Sequence, residues 1–113
     1  MTKYMVSASY TPEGIKGLLK DGGTGRRAAV EMAIRELGGK LETMYFAMGQ
    51  LDVVTIAEFP DSVSATALAL AANASGAVRT HTTPLMTPEE VDQAVHKTVK
   101  YRPPGAAGKS RQG

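Results

Sequence analysis

Cysteine is absent from the 113-residue chain. Its absence excludes disulfide bonds, thiolate zinc sites, iron–sulfur clusters and cysteine nucleophiles, and it is compatible with a reducing compartment. Long apolar segments are absent too. The longest uncharged run, 62–78, has 17 residues, several of them polar, whereas a transmembrane helix needs about 20 mostly apolar residues. We therefore expect a cytoplasmic protein with no membrane partner, and we predict no metal site and no cofactor.

Charge is distributed unevenly along the chain. Five basic residues follow the last acidic residue, Asp92: Lys97, Lys100, Arg102, Lys109 and Arg111. The rest of the chain holds eight basic and eleven acidic residues. Because specific nucleic-acid binding needs a basic face on the folded body, we predict no specific nucleic-acid partner. The Pro- and Gly-containing end of the chain predicts a disordered basic tail at 103–113, after a single domain at 1–102.

Turn and cap signals divide the body into seven elements. Four segments have the alternation or the apolar content of β-strands: 3–10, 40–48, 52–59 and 77–83. Helices are expected in three regions: 12–37 with an interruption at the glycines of 21–25, 62 to about 73, and 88 to about 100. The order βαββαβ plus a C-terminal helix predicts an α+β, ferredoxin-like fold, in which two helices cover one face of a four-stranded antiparallel sheet.

The predicted strands are apolar on both faces. Strand 52–59 has Val53, Thr55, Ala57 and Phe59 on one side but also Val54 and Ile56 on the other. Strand 40–48 places Leu41 and Tyr45 opposite Met44, Phe46 and Met48. Because two helices can cover only one face, we expect a second copy to cover the other around a two-fold axis. The alanine-rich helix after residue 62 is apolar nearly all round, which predicts burial on more than one side.

Six segments of the body resemble a known family: YMVSASYTPEGIKGLLKDGG from Tyr4, RRAAVE from Arg26, LGGKLE from Leu37, YFAMGQLDVVTIAEFPD from Tyr45, NASGAVRTHTTPLMTPEEVD from Asn73 and YRPPG from Tyr101. Together they resemble the GYD domain proteins, within the dimeric α/β-barrel superfamily. The resemblance implies a homodimer whose two sheets form one barrel. It implies no particular chemistry, because the wider superfamily includes cofactor-independent monooxygenases, isomerases and haem enzymes.

The family's Gly-x-Tyr-Asp signature stands in this chain as Gly49-Gln50-Leu51-Asp52. Leu51 replaces the tyrosine, so no role that needs a phenol hydroxyl is expected there. Asp52 lies where a turn enters a central strand, and an Asp at such a place commonly accepts hydrogen bonds from backbone N–H groups. The Asp52 carboxylate has two interpretations: a structural hydrogen-bond acceptor, or a charge at the mouth of a pocket. Glu58 cannot be its catalytic partner, because six residues along one strand separate them by about 20 Å.

Arg26 is a second candidate, because it begins a helical segment where the helix dipole disfavours a cation. It also falls on the predicted buried stripe with Val30, Ala33 and Leu37, where a charge needs a partner. Three partners are open: a carboxylate of the same chain, a second subunit, or an anionic ligand held with the N–H groups of the glycine-rich segment.

His81 is the one histidine expected in the sheet, flanked on the same face by Arg79. Histidine is the usual general base and a common haem ligand, and the alternative is a hydrogen-bonded structural role. Ser7 and Ser9 are neighbours of His81 if the first and fourth strands pair, but the chain has no GxSxG elbow of a hydrolase. Strand 52–59 lacks the aromatic pattern of an RNA-recognition motif.

Two functional classes follow from these residues. The first is a non-catalytic dimer that binds a small molecule or a partner, favoured because no acid, base and nucleophile combine into one constellation. The alternative is a cofactor-independent isomerase or monooxygenase that acts on a small organic substrate. The catalytic candidates are Asp52, His81 and Tyr45, and the ligand-binding candidates are Arg26, Tyr10, Tyr45, Asp52, Arg79 and His81. Their convergence on one partly apolar cavity would distinguish the classes.

Overall fold

The structure is a computed structural model that describes residues 1–106, so residues 107–113 of the predicted tail lie outside the described residues. Seven elements follow one another: β1 (Thr2–Tyr10), α1 (Pro12–Glu36), β2 (Lys40–Phe46), β3 (Val53–Phe59), α2 (Ser62–Ala74), β4 (Val78–Pro84) and α3 (Pro88–Val95). The strands form one antiparallel sheet in the order β2-β3-β1-β4. The ferredoxin-like α+β fold with an extra helix is confirmed. No helix within residues 1–106 is long and apolar enough to cross a membrane.

The hydrophobic core lies between the end of α1, the start of α2 and one end of the sheet. Phe59 and Ile34 are fully buried there, and the ring of Tyr4 meets Phe59 edge to face with 5.7 Å between ring centroids. Ala57 and Ala65 complete the buried cluster. The alternation of β1 and β3 predicted this face of the sheet correctly, because even positions of β1 pair with odd positions of β3.

The helix α1 is kinked at Gly22, whose φ of 73° and ψ of 170° lie outside the helical region. Such a conformation is available essentially only to glycine. The sequence predicted an interruption over 21–25, and the structure confines it to this one residue. Phe46 lies under the kink, where a Cβ atom added to Gly23 would be 3.4 Å from its ring.

The N-terminus of α1 is attached to the start of β4. The backbone N–H of Thr11 donates to the carbonyl of Ala77 at 2.9 Å, and the Thr11 hydroxyl donates to the carbonyl of Gly76 at 2.8 Å. Gly14 comes so close that an added Cβ would be 2.0 Å from the Ala77 oxygen. Thr11 also caps the helix, since its side chain accepts from the N–H of Gly14. These contacts fix where α1 begins relative to the sheet.

The strand β2 contains an irregularity that the sequence pattern did not reveal. The register with β3 shifts between Leu41 and Thr43, which leaves Glu42 as the extra residue of a β-bulge. Leu41 therefore packs against the core on the same side as Met44, which lines the space under the helices. The predicted placement of Leu41 opposite Met44 is wrong, because the bulge resets the alternation.

The helix α2 lies on the sheet beside β4 and is buried on one side only within a single chain. Ala65 is buried, whereas Val63 and Leu70 on the outer side are 75% and 67% exposed. Asn73 joins the helix to the strand: its amide nitrogen donates to the Thr80 hydroxyl at 2.8 Å, and its amide oxygen accepts from the Thr80 N–H at 3.1 Å. The sequence predicted that α2 is buried on more than one side, but within a single chain its outer side is exposed.

The helix α3 leaves the body, and none of its side chains is buried. The capping box of Thr87 and Glu90 is confirmed, with reciprocal hydrogen bonds of 3.0 and 2.8 Å. The helix ends at Val95, about five residues before the predicted end near residue 100. No packing supports a longer helix, and the β-branched Thr98 and Val99 have low helix propensity.

The close approach of Gly14 to Ala77 predicts opposite effects for two glycines of α1. We expect Gly14→Ala to lower the free energy of unfolding by about 1–3 kcal/mol, because the new methyl group overlaps a backbone oxygen. Gly17→Ala meets no atom within 4 Å and should raise it by about 0.5–1 kcal/mol through helix propensity. Urea denaturation measures both. Equal effects of the two substitutions would contradict this packing.

Candidate functional site

A cavity of about 90 Å³ lies between the sheet and the two helices that cover it. Its walls are mostly apolar and come from all four strands and from both helices: Val6, Ala8, Tyr10, Arg26, Val30, Ile34, Met44, Val53, Thr55, Leu68, Ala69, Ala72, Val78, Thr80 and Thr82. Arg26 is the one charged residue in this lining of described residues. Thr55 is buried, while Tyr10 and Arg26 are half-buried at the opening.

A wider groove of about 410 Å³ leads from the opening to the surface between α1 and α2. Six residues line both spaces, so the groove and the cavity adjoin each other: Tyr10, Arg26, Val30, Leu68, Ala72 and Val78. The groove adds small side chains of both helices and two carboxylates, Glu13 and Asp21. The cavity and groove together have the shape of a small-molecule pocket with an apolar interior and a polar entrance.

Arg26 pairs with Asp21 across the kink of α1. The guanidinium Nη1 lies 3.6 Å from Asp21 Oδ2, and the two side chains are 32% and 48% exposed. A partner on the same chain, one of the three alternatives for Arg26, is therefore present. The contact is longer than the usual 2.7–2.9 Å of a charge-assisted hydrogen bond, so it is a weak ion pair.

Asp52 holds the start of β3 against the end of β1. Its carboxylate Oδ2 accepts from the backbone N–H of Tyr10 at 2.8 Å, and its own N–H donates to the carbonyl of Ala8 at 2.9 Å. The Asp52 carbonyl accepts from the N–H of Ala47 at 2.9 Å, which closes the turn from β2. The carboxylate supplies the acceptor that the Tyr10 N–H lacks because β3 begins only at Val53. The structural interpretation of Asp52 is thus supported by its geometry.

The turn before Asp52 contains the Gly49–Asp52 signature. The N–H of Gly49 donates to the carbonyl of Leu51 at 2.9 Å, and the Ser9 hydroxyl donates to the carbonyl of Gln50 at 3.3 Å. Leu51 is exposed and is not among the residues that line the cavity. The described contacts of this signature form a turn that positions Asp52.

The comparison with family models gives one match: the GYD domain model covers residues 4–95 of the chain. The chain belongs to the GYD domain family. The matched region runs from β1 to the end of α3, so the exposed C-terminal helix is part of the GYD domain. The searches of curated proteins and of solved structures give no match.

The other sequence candidates of this GYD domain lie on the opposite face of the sheet. Arg79, His81 and Tyr45 alternate with residues that line the cavity, and all three are exposed. His81 pairs with Ser7 across β1 and β4, as expected if these strands pair. Tyr10 and Arg26 line the cavity, and Asp52 contacts the backbone of Tyr10 without lining the cavity. The six candidates therefore do not converge on one cavity within one chain.

A charged cluster that the sequence analysis missed spans three strands on the uncovered face. Lys3 donates to Glu58 at 2.9 Å and also to Glu42, which the bulge of β2 places within reach. The hydrogen bond from Lys3 lowers the pKa of the Glu58 carboxyl, and the bonds to Glu42 and Glu58 raise the pKa of the Lys3 ammonium. Period-two alternation alone predicts that Lys3 and Glu58 share one face of the sheet. The contact of Glu42 with Lys3 could not be predicted in this way, because it depends on the bulge in β2.

The sequence did not predict the cavity-lining residues as a group, although the alternation along β4 indicates some of them. Thr80 and Thr82 alternate with Arg79 and His81, which predicts their inward position once the face of β4 is known. The inward position of Met44 depends on the bulge. Within residues 1–106, no three His, Asp or Glu side chains are grouped in a way that could hold a metal ion.

The hydrogen bond to Tyr10 predicts how substitutions of Asp52 affect stability. Asp52→Ala removes the acceptor of the Tyr10 N–H and should lower the free energy of unfolding by about 0.5–2 kcal/mol. Asp52→Asn keeps an oxygen acceptor and should lower it by less. Leu51→Tyr, on the adjacent exposed turn, is the control and should change it by less than about 0.5 kcal/mol. Equal losses for Asn and Ala in chemical denaturation would contradict this role.

Proposed function

We propose that this GYD domain is a non-catalytic, cytoplasmic homodimer that binds a small, largely apolar molecule between its sheet and helices. The observation that supports the proposal most directly is the cavity beside the groove. Val, Ala, Leu, Ile and Met side chains make up most of the cavity lining. Apolar contact supplies most of the affinity in such a site, at about 25 cal/mol per Å² of apolar surface removed from water. Thr55, Thr80 and Tyr10 are the groups that orient the ligand.

Binding without catalysis is favoured by the side chains at the cavity. Proton transfer near neutral pH is carried out most often by His, Glu, Asp or Lys within hydrogen-bond reach of the ligand. None of these residue types occurs in the described lining of the inner cavity. His81, the strongest sequence candidate for a base, lies on the other face of the sheet. An isomerase or monooxygenase therefore has less support than a binding protein.

Filling the cavity tests the binding proposal. Ala69→Leu adds apolar atoms to the cavity wall, so we expect it to abolish binding of the neutral probe 1-hexanol while the melting temperature stays equal or rises. Ala67→Leu adds the same atoms to the outer side of α2 and should leave binding unchanged. Nuclear magnetic resonance shifts of backbone amides at Val6, Val53 and Val78 report the binding. Unchanged binding by the Ala69 variant would contradict the proposal.

The uncovered sheet face is the surface that we propose for the dimer. Met5, Val54 and Ile56 are only partly buried in its middle. The charged cluster of Lys3, Glu42 and Glu58 lies at one end, and Arg79 and His81 lie on the edge strand. An apolar centre inside a polar rim is the usual anatomy of a protein interface. Tyr45, Arg79 and His81 become interface or shared-site residues in this arrangement.

A charge in the centre of this face should separate the subunits. We expect light scattering to give twice the 11.9 kDa chain mass for the unchanged protein and about the single chain mass for Ile56→Glu. Val63→Glu places the same charge on the exposed outer side of α2 and should leave the dimer intact. A monomeric unchanged protein would contradict the dimer. If Val63→Glu dissociates the dimer and Ile56→Glu does not, the interface lies on α2 and not on the sheet face.

A further inference from the structure

We infer that the ligand of the cavity is an anion, a small carboxylic acid whose apolar tail enters the cavity and whose carboxylate binds Arg26. The inference rests on the proposed function, because it names the ligand class of the same site. The tail is short. A cavity of about 90 Å³ holds about three water-sized groups, and further atoms of the ligand extend into the groove.

The position of Arg26 is the first observation behind this assignment. Among the described residues that line the inner cavity, it is the one with a charge, and it also lines the groove outside. Its side chain is about two-thirds buried, and the apolar Val30 and Leu68 line the same cavity and groove. A cation held among apolar groups is costly unless an anion meets it. A ligand that fills the cavity therefore presents its polar end to a guanidinium.

The second observation is that Asp21 forms only one long contact with the Arg26 guanidinium. One oxygen lies 3.6 Å from one guanidinium nitrogen, although a guanidinium offers five N–H donors and pairs best with a carboxylate through two parallel hydrogen bonds. Asp21 is nearly half exposed and precedes the kink at Gly22, so water can solvate it when it leaves. A ligand carboxylate can then take the place of Asp21 with better geometry.

Glu13, the other carboxylate of the groove, does not oppose this binding directly. It lies in the first turn of α1 and pairs with Lys16 at 3.9 Å. It lines the groove but not the inner cavity. The Arg26 end of the groove is thus the end at which an anion meets a positive charge, and Asp21 is the group with which it competes.

Matched acids and alcohols test the inference. Sodium hexanoate and 1-hexanol share one tail shape, and benzoate and benzyl alcohol share another. We expect each acid to bind more tightly than its alcohol in amide-shift titrations of the full chain. Arg26→Gln should weaken acid binding by about 10- to 100-fold and leave alcohol binding nearly unchanged. Arg27→Gln is the control, since the next residue is exposed and lies outside the cavity and the groove.

Two further variants separate a specific site from general charge attraction. Asp21→Asn removes the competitor and should tighten acid binding, while Arg26→Lys keeps the charge, loses the two-bond geometry and should give an intermediate affinity. Equal binding of acids and alcohols, or equal effects of Arg26→Gln and Arg27→Gln, would overturn the inference and leave the cavity proposal standing. Failure of all four probes to shift cavity amides would overturn the proposed function itself.

Discussion

The carbonyl oxygen of Ala77 is the point on which the arrangement of helix and sheet depends. It accepts the N–H of Thr11 and is within hydrogen-bond distance of the Thr11 hydroxyl, and it leaves no room for a side chain at Gly14. The other end of α1 is fixed by the burial of Ile34 against Phe59. A straight helix of 25 residues would be about 37 Å long, more than the roughly 30 Å of the longest strand. The helix α1 is instead kinked at Gly22, and the cavity lies between it and the sheet.

The two faces of the sheet differ because only one of them is covered within the chain. The helix side contains the cavity, whose lining includes Tyr10 and Arg26, and Asp52 accepts a hydrogen bond from the backbone of Tyr10. The uncovered side combines partly exposed Val54 and Ile56 with charged groups near its margins. Residues that are adjacent in sequence, such as Arg79 and Thr80, therefore lie on opposite faces of the sheet.

Much of the fold follows from local patterns. Period-two alternation, the caps at Thr11 and Thr87, and the glycines after α1 and α2 predict the order of elements and most of their bounds. The bulge at Glu42 and the restriction of the kink to Gly22 do not follow, because both depend on how neighbouring elements pack. The end of α3 was misjudged for the same reason: a polar sequence with good caps does not reveal that no surface supports the helix.

The candidate site was less predictable than the fold. Arg26 was identified from its conflict with the helix dipole and the apolar stripe, and Asp52 from its place before a strand, because each signal is local. The cavity combines single residues from six elements, and its volume depends on the separation of α1 and α2, which no sequence period encodes. Grouping Tyr45, Arg79 and His81 with Tyr10 ignored the parity of the strands, which places them on opposite sides.

Asn73 has a consequence for how copies of this protein can associate. β4 is an edge of the sheet, and an edge strand with free N–H and C=O groups is a template for another strand. The Asn73 side chain already occupies the N–H of Thr80 in the middle of that edge. At the opposite edge, the bulge in β2 disturbs the regular spacing that a new strand would need. Strand-by-strand growth into a continuous sheet, the first step toward fibrils, is thereby disfavoured at both ends.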